Sequence, residues 1–406
     1  MNILRNNFGL LTAISALAFV SIGITAPLTT IYFQSLGASY IQISWILTSF
    51  GIAVLVCNYG WGQLSDRLGK RKLFFIIGLC GIGVSALFMS QVPDANWAWG
   101  VRLQSGIFHA AYTTVGLALI GDILDHQEAQ NPGRKGRSMG IYRGVGSLAF
   151  AIGATAGGRI ADLYSLPVIY IVSGVIYLVA ALCALLLREA TRHHDERDTV
   201  AVDRHSPVTP AIEKEKTSAY QGLPYLFLIG VILWMMAHSA SASMWPNYME
   251  SLNYSKTAIG SLWGLTALIE WPAMMLAGML SDTLGRATIL AFGGFGIALV
   301  NFGYLAIAHL FPALVGIQII RGLGFANYTI GAMTFTADVG SDKNRGRNSG
   351  LFYTASSGGQ LLGSFIGGSL VEFRGFTFMF GFCSLSAFFA GVCFLLLRRV
   401  EKLKSL

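Results

Sequence analysis

Glu270 stands in the middle of a long apolar run, eight residues before Gly278. At 1.5 Å per helical residue that is roughly 12 Å of depth. An ionisable group so placed in a membrane costs about 2.5–3.5 kcal/mol on insertion scales, so it faces a cavity or a partner. Trp263 and Thr266 precede it by seven and four residues and share its helical face. Pro272 follows and loosens the local helix. Three roles fit: a proton carrier, a ligand for a solute, or one half of a structural ion pair. His109 and His238 lie in other apolar runs. They are rival proton carriers, since imidazole changes charge near neutrality, or else groups that bond one helix to another. Polar and aromatic residues recur at helical spacing on further apolar runs: Arg102, Ser105, Gly106, His109 and Thr113; His238, Ser241 and Trp245; Arg321, Phe325 and Tyr328; Tyr353, Ser356, Ser357 and Gln360. Together these stripes would line one wet cavity suited to a polar uncharged ligand such as a sugar. For each serine or threonine the plainer alternative is a bond to its own backbone. Arg102 either joins the cavity or reaches the outer headgroups.

Nothing here suggests covalent chemistry. The chain lacks G-x-x-x-x-G-K-[ST], H-E-x-x-H and G-x-S-x-G, so neither a nucleotide site nor a hydrolase site is expected. The five cysteines sit in apolar stretches without a C-x-x-C pair, and His193-His194 falls in a charged, solvated segment. No metal, cofactor or enzymatic activity is expected.

The elements that must carry these residues are set by composition. Of 406 residues 54% are hydrophobic and 12% charged, with a mean hydropathy of +0.59; a soluble domain carries about 25% charged residues. Twelve stretches are long enough to cross a hydrocarbon core about 30 Å thick. They run near 8–33, 40–61, 73–90, 97–121, 138–160 and 167–187, then 223–249, 257–279, 288–308, 311–337, 348–372 and 376–397. The first is too long for a signal-peptide core and is read as a retained helix. Placing both termini inside puts 22 of the 28 lysines and arginines in the termini and loops of one side, the asymmetry that marks the cytoplasm. The net charge of +8 is therefore a topology signal and not a nucleic-acid footprint, with lipid headgroups as the partner of the basic loops. Residues 188–222 hold 13 charged residues and no apolar run. They divide the chain into a six-helix half (1–187), a cytoplasmic linker (188–222) and a second six-helix half (223–406).

The halves repeat. Gly62-Gln-Leu-Ser-Asp66-Arg67-Leu-Gly69-Lys-Arg71-Lys recurs 216 residues later as Gly278-Met-Leu-Ser-Asp282-Thr-Leu-Gly285-Arg286-Ala-Thr. Gly153, Gly157 and Gly158 recur 210 residues later as Gly363, Gly367 and Gly368, and Arg102 has a counterpart in Arg321. With its twelve spans, central linker and both loop copies, the chain resembles the major facilitator superfamily over almost its whole length. The resemblance implies an all-α membrane fold of two six-helix repeats, with the Gly62–Lys72 loop acting as a conformational latch whose Asp66 meets charges at neighbouring helix ends. The matching partners are Asp122 and Arg137, with Asp338 and Arg347 in the second half. Ala287 and Thr288 replace basic residues in the second copy, so its latch is expected to be weaker. Arg102-Leu-Gln-Ser-Gly106 and Gly153–Gly158 resemble motifs of the family's proton-driven antiporters, with Ser105 and Ala154 departing from the pattern. Glu270-Trp271-Pro272 is similar to a feature of its sugar efflux branch. The expected function is secondary active transport by a single copy of the chain in the cell membrane: proton-coupled efflux of a sugar or small amphipathic compound. The alternatives are a proton-coupled nutrient importer and a membrane sensor on the same fold.

Overall fold

The computed structural model describes residues 2–130, 135–187, 222–339 and 345–404, and no strand occurs among them. The first span is α1 (Asn2–Thr25), continued through a short 3-10 turn at Pro27 into α2 (Thr29–Ser35). The first half is completed by α3 (Tyr40–Leu68), α4 (Arg71–Met89), α5 (Ala95–Gln130), α6 (Lys135–Leu163) and α7 (Leu166–Ala184). The second comprises α8 (Tyr225–Ser251), α9 (Lys256–Leu284), α10 (Arg286–Ile307), α11 (Phe311–Asp338) and α12 (Arg345–Lys404). As one rod the 60 residues of α12 would span roughly 90 Å. The helix breaks at Gly375, with φ 80° and ψ 172°, a conformation that only glycine adopts readily. The chain then folds back: Phe352 and Phe394, on either side of the break, both pack on Phe227 of α8.

Among the described residues nine helical stretches are long and apolar enough to cross a membrane, the hairpin Gly346–Arg398 being one of them. α6 and α11 fall short of that apolarity because glycine, arginine and hydroxyl residues displace leucine and valine. Each expected stretch lies in a helix, yet several helices outrun their apolar segments on the side of the basic loops. α3 continues to Leu68, α5 to Gln130 and α9 to Leu284, because backbone bonding continues into water until a residue stops it. Gly69 stops α3 with a left-handed φ of 62°. Val56, Leu117, Ile152, Met275 and Leu385 are exposed, as side chains facing lipid must be.

The two halves pack by one rule. A Cβ on Gly153 or Gly157 of α6 would lie 2.2 Å from the Val20 or Ile24 carbonyl oxygen of α1. In the second half, Cβ atoms on Gly363 and Gly367 would lie 2.3 Å and 3.0 Å from the Met236 and Ala240 carbonyl oxygens of α8. Small residues that let backbones touch are the usual means of helix association in lipid.

Candidate functional site

Between the halves lies a cavity of about 660 Å³, walled by α2, α3 and α5 of the first half and α8, α9, α11 and α12 of the second. Of the residues expected from sequence, Arg102, His109, His238, Trp263 and Gln360 line it, with Phe325 and Ser357 from the same stripes. Arg102 thus points into the protein and not to the headgroups. Its guanidinium carbon sits 4.1 Å from the centre of the Phe50 ring. Arg321, its counterpart, sits 4.8 Å from the Trp263 ring and donates to Gln318 Oε1 at 3.5 Å. In both halves an arginine from the fourth span thus covers an aromatic ring of the second span, a geometry that partly compensates a buried cation.

The other expected residues stand behind this wall. Tyr328 stacks on buried Trp234 at 3.6 Å, and His238 lies on the same ring at 4.9 Å, so His238 forms the cavity face of an aromatic column. Trp245 is buried against Trp263 and Tyr304. Tyr353 is 59% exposed and lies outside the cavity lining. Ser357 and Gln360 of the same stripe line the cavity one and two turns further along α12. Glu270 is half-buried on α9. It forms no ion pair within 4.0 Å among the described residues. Sequence reasoning missed Thr29, Asn58, Ser239, Ser243 and Ser364, which also line the cavity. Thr29 stands beside Thr30, and Ser239 and Ser243 beside the His238–Ser241 stripe, so the signal for these lay next to residues already singled out. Thr113 takes the plainer option and bonds to the His109 carbonyl.

The hydrogen bonds that the described residues form between halves all lie at the end away from the basic loops. Asp162, at the end of α6, accepts from the Lys256 and Thr257 amides of α9 at 3.1 and 2.8 Å and from Thr257 Oγ1 at 2.6 Å. Glu372, 210 residues later, accepts from the Tyr40 amide of α3 at 2.8 Å. Each carboxylate caps the opposite half's second span, whose first amides have no partner within their own helix. Burial pushes the Asp162 carboxyl up, but the three hydrogen bonds and the Lys256 charge more than offset it and hold the group below the usual carboxylate range. Beside each carboxylate a glycine makes the close approach: a Cβ on Gly158 would lie 2.3 Å from the Lys256 oxygen, and one on Gly368 2.1 Å from the Tyr40 oxygen. Asn247 adds bonds to the Thr30 carbonyl and Gln34. Toward the basic end Gly60, Gly140, Gly278 and Gly350 have no heavy atom near a built Cβ, and among the described residues no hydrogen bond joins the halves there. The cavity is sealed at one end and open at the other. Neither Asp162 nor Glu372 was singled out from sequence, although the offset of 210 that matched the glycines also matches this pair.

At the basic end Arg71 bridges Asp66, at 2.7 Å, and Asp122. In the second half Arg286 bridges Asp282 at 2.5 Å and Asp338 at 3.0 Å, and also reaches Ser281. Among the described residues the second cluster therefore carries the same two arginine–aspartate bridges as the first, where a missing basic residue had led to the expectation of a weaker latch. The reason is a turn one residue shorter. α4 begins at Arg71, two residues after Gly69, whereas α10 begins at Arg286 directly after Gly285, whose φ of 89° makes the corner. A fixed offset of 216 paired Arg286 with Lys70, but at its helix start it occupies the place of Arg71. Arg67 and Arg347 are exposed, Arg347 lying against Gly222 rather than on the cluster. The Arg137 side chain lies outside the described residues. Asp66 and Asp282 are 59% and 69% exposed, so each pair contributes at most about 1 kcal/mol to static stability. Asp66→Asn and Asp282→Asn are accordingly expected to insert normally and to slow transport to a similar degree, as read from initial rates in proteoliposomes. A near-normal Asp282→Asn protein beside an impaired Asp66→Asn protein would restore the unequal reading.

Two membrane-spanning halves related by a repeat, parted at one end around a central cavity, define a multi-pass solute transporter rather than an enzyme. The chain belongs to the Major Facilitator Superfamily, whose family model matches residues 10–310 and again 226–405. It is 26% identical to the MFS-type transporter MJ1560 of Methanocaldococcus jannaschii, over 92% of this chain and 93% of that one. It is 22% identical to a Deinococcus radiodurans protein named for sugar efflux, over 86% and 87%. Its fold is similar to the crystal structure of the nucleoside transporter NupG, with a TM-score of 0.72, 17% identity and coverage of 98% and 99%.

Proposed function

We propose that the protein is a monomeric secondary transporter that expels a small polar or amphipathic solute, sugar-like in its hydrogen bonding, in exchange for protons. The observation that carries this reading is the cavity shared by both halves. It combines ring faces (Phe50, Trp263, Phe325) with amides and hydroxyls (Asn58, Gln360, Ser239, Ser357), the mixture that holds a solute with both apolar and hydrogen-bonding surface. The seal at one end and the opening at the other suit alternating access, with the site held near the midplane between repeats. The relative named for sugar efflux supports the outward direction. Glu270, His109 and His238 are the candidate proton carriers.

The reading is tested by flux in proteoliposomes. Saturable uptake, stimulated by solute preloaded on the far side, is expected of a carrier, and an imposed proton gradient should drive solute against the proton flow. Solute and protons moving together would make the protein an importer, and no flux would leave a sensor.

The charge asymmetry supports a cytoplasmic position for residues 188–222 and both termini, and on that reading the cavity opens inward. A cysteine at Ser206, in a background without the native cysteines, should resist an impermeant thiol reagent in intact cells and react after lysis. Labelling of intact cells would invert the orientation.

A further inference from the structure

Behind Phe50 a second cavity of about 220 Å³ extends into the first half, sharing Arg102 and His109 with the central one. We propose that this side cavity is an oxyanion site, which takes a carboxylate or phosphate. The proposal deepens the transporter reading by giving the solute an anionic end, and it rests on that reading for its link to transport.

The argument starts from Arg102. A guanidinium keeps its charge in a protein interior, and a charge taken out of water needs a partner. Among the described residues no aspartate or glutamate lines either cavity. The Arg102 Nε is enclosed without a hydrogen-bond acceptor. The Phe50 ring lies 4.1 Å from the guanidinium carbon, but a ring face does not take up the five in-plane N–H groups. Three more donors open onto the same space without a bond to any described residue: the Ser105 hydroxyl, the Tyr177 phenol and the His109 ring. The other wall hydroxyls are already committed. Thr25, Thr29, Ser85 and Ser173 give their protons to backbone carbonyls. The cavity thus offers a fixed cation and three free donors, and no anionic acceptor. That set is complementary to an oxyanion, which arginine binds through paired N–H groups. A sugar hydroxyl would leave the charge uncompensated. Because Arg102 also faces the central cavity, an anionic end held there would leave the solute's body among Phe50, Trp263 and Phe325.

Two sources share this chemistry, the anionic end of an organic solute and a free inorganic ion. Thermal unfolding of the purified full-length protein separates them, with phenyl phosphate, benzoate and inorganic phosphate as probes. Phenol and chloride at matched ionic strength are the controls. The oxyanions are expected to raise the unfolding midpoint in a saturable way, and phenol and chloride are not. Arg102→Gln should weaken oxyanion binding by about tenfold or more. Tyr177→Phe, which removes a single hydroxyl and keeps the ring, should weaken it several-fold. Ser251→Ala, an exposed position outside both cavities, should leave inorganic phosphate binding unchanged. If Arg102→Gln does not fold, Tyr177→Phe carries the test. Tighter binding of phenyl phosphate than of phosphate assigns the site to an organic anion, and the reverse order assigns it to a free ion. No oxyanion effect beyond chloride, or undiminished affinity in both variants, overturns the proposal. The readout needs neither flux nor a proton gradient, so a protein that transports yet binds no oxyanion would sink this inference and leave the transporter reading intact.

Discussion

Alanine at Gly368 or at Gly158 is expected to lower transport more than tenfold while the protein still inserts and stays folded. Each glycine sits where α12 or α6 crosses the first turn of the opposite half's second span. The added methyl would have to enter at 2.1 Å from the Tyr40 oxygen and Ser44 Oγ, or 2.3 Å from the Lys256 oxygen. Backbone cannot yield as a flexible side chain can, so the helices must part. Overpacking of this kind costs about 1–3 kcal/mol and sometimes more, and each 1.4 kcal/mol shifts a two-state population about tenfold. Alanine is also the better helix former, so the helix itself is not weakened. The cost falls on the sealed state alone, because only there do the halves touch at these points. The variants should rest with the end away from the linker open. A cysteine at Ser239, inside the cavity, should then react with an impermeant reagent from that side, which it resists in the parent protein. Gly140→Ala, where nothing lies near the built Cβ, is the control and should transport normally. Gly153→Ala should behave differently again. Its contact is with Val20 inside one half, so it should lower the yield of folded protein. Normal transport by Gly158→Ala and Gly368→Ala together would mean that this end never closes as tightly as the structure has it.

The spans and the duplication were legible in the sequence because lipid imposes one requirement, a continuous apolar helix, and because charge accumulates on one side. The glycine pattern was legible for a related reason: a position that admits no Cβ in one half admits none at the matching place in the other. What was lost turned on local geometry. One residue fewer in the turn after Gly285 moved Arg286 into the place of Arg71, and alignment at a fixed offset read that as a missing basic residue. Asp162 and Glu372 border loops, where a carboxylate is usually solvated. Only the crossing of α6 over α9, and of α12 over α3, turns them into caps for the opposite half. The polar stripes gave the right helices but only part of the right faces. A stripe fixes direction about the helix axis to within roughly half a turn, and the neighbouring helices decide whether that direction is the cavity or the half's own interior. Trp245 and Tyr328 thus back the wall, while Trp263 and Phe325 form it.

Replacing Glu270 by glutamine is expected to abolish proton-driven transport and to spare exchange. The carboxyl lies on α9 beside Arg321 of α11, whose guanidinium covers Trp263 in the cavity wall. Behind it Gln318 Oε1 accepts from both Thr266, at 2.8 Å, and Arg321, at 3.5 Å. With Glu270 ionised, its carboxylate would offset part of the Arg321 charge from a distance, outside this hydrogen-bonded set. With Glu270 protonated, Arg321 is left as an uncompensated cation against the cavity wall, a state that costs free energy unless water or solute answers it. On the proposed reading, proton binding at Glu270 would change what the wall prefers to face, and a solute that competes for Arg321 would be coupled to the proton by that change. Pro272, two residues on, removes one backbone bond of α9 and lets the segment adjust. Glutamine keeps the size and the hydrogen bonding of the protonated acid but cannot lose a proton. Net transport driven by a pH gradient should fall to background. Exchange of labelled for unlabelled solute at equal pH should persist, with its dependence on pH largely removed. His109→Gln and His238→Gln should retain gradient-driven transport at a reduced rate. Loss of exchange along with drive would make Glu270 a solute ligand. Loss of folded protein in detergent would make it a structural charge. Proton-driven transport by a stable Glu270→Gln protein would move the coupling role to the two histidines, whose single variants would then be the ones to lose it.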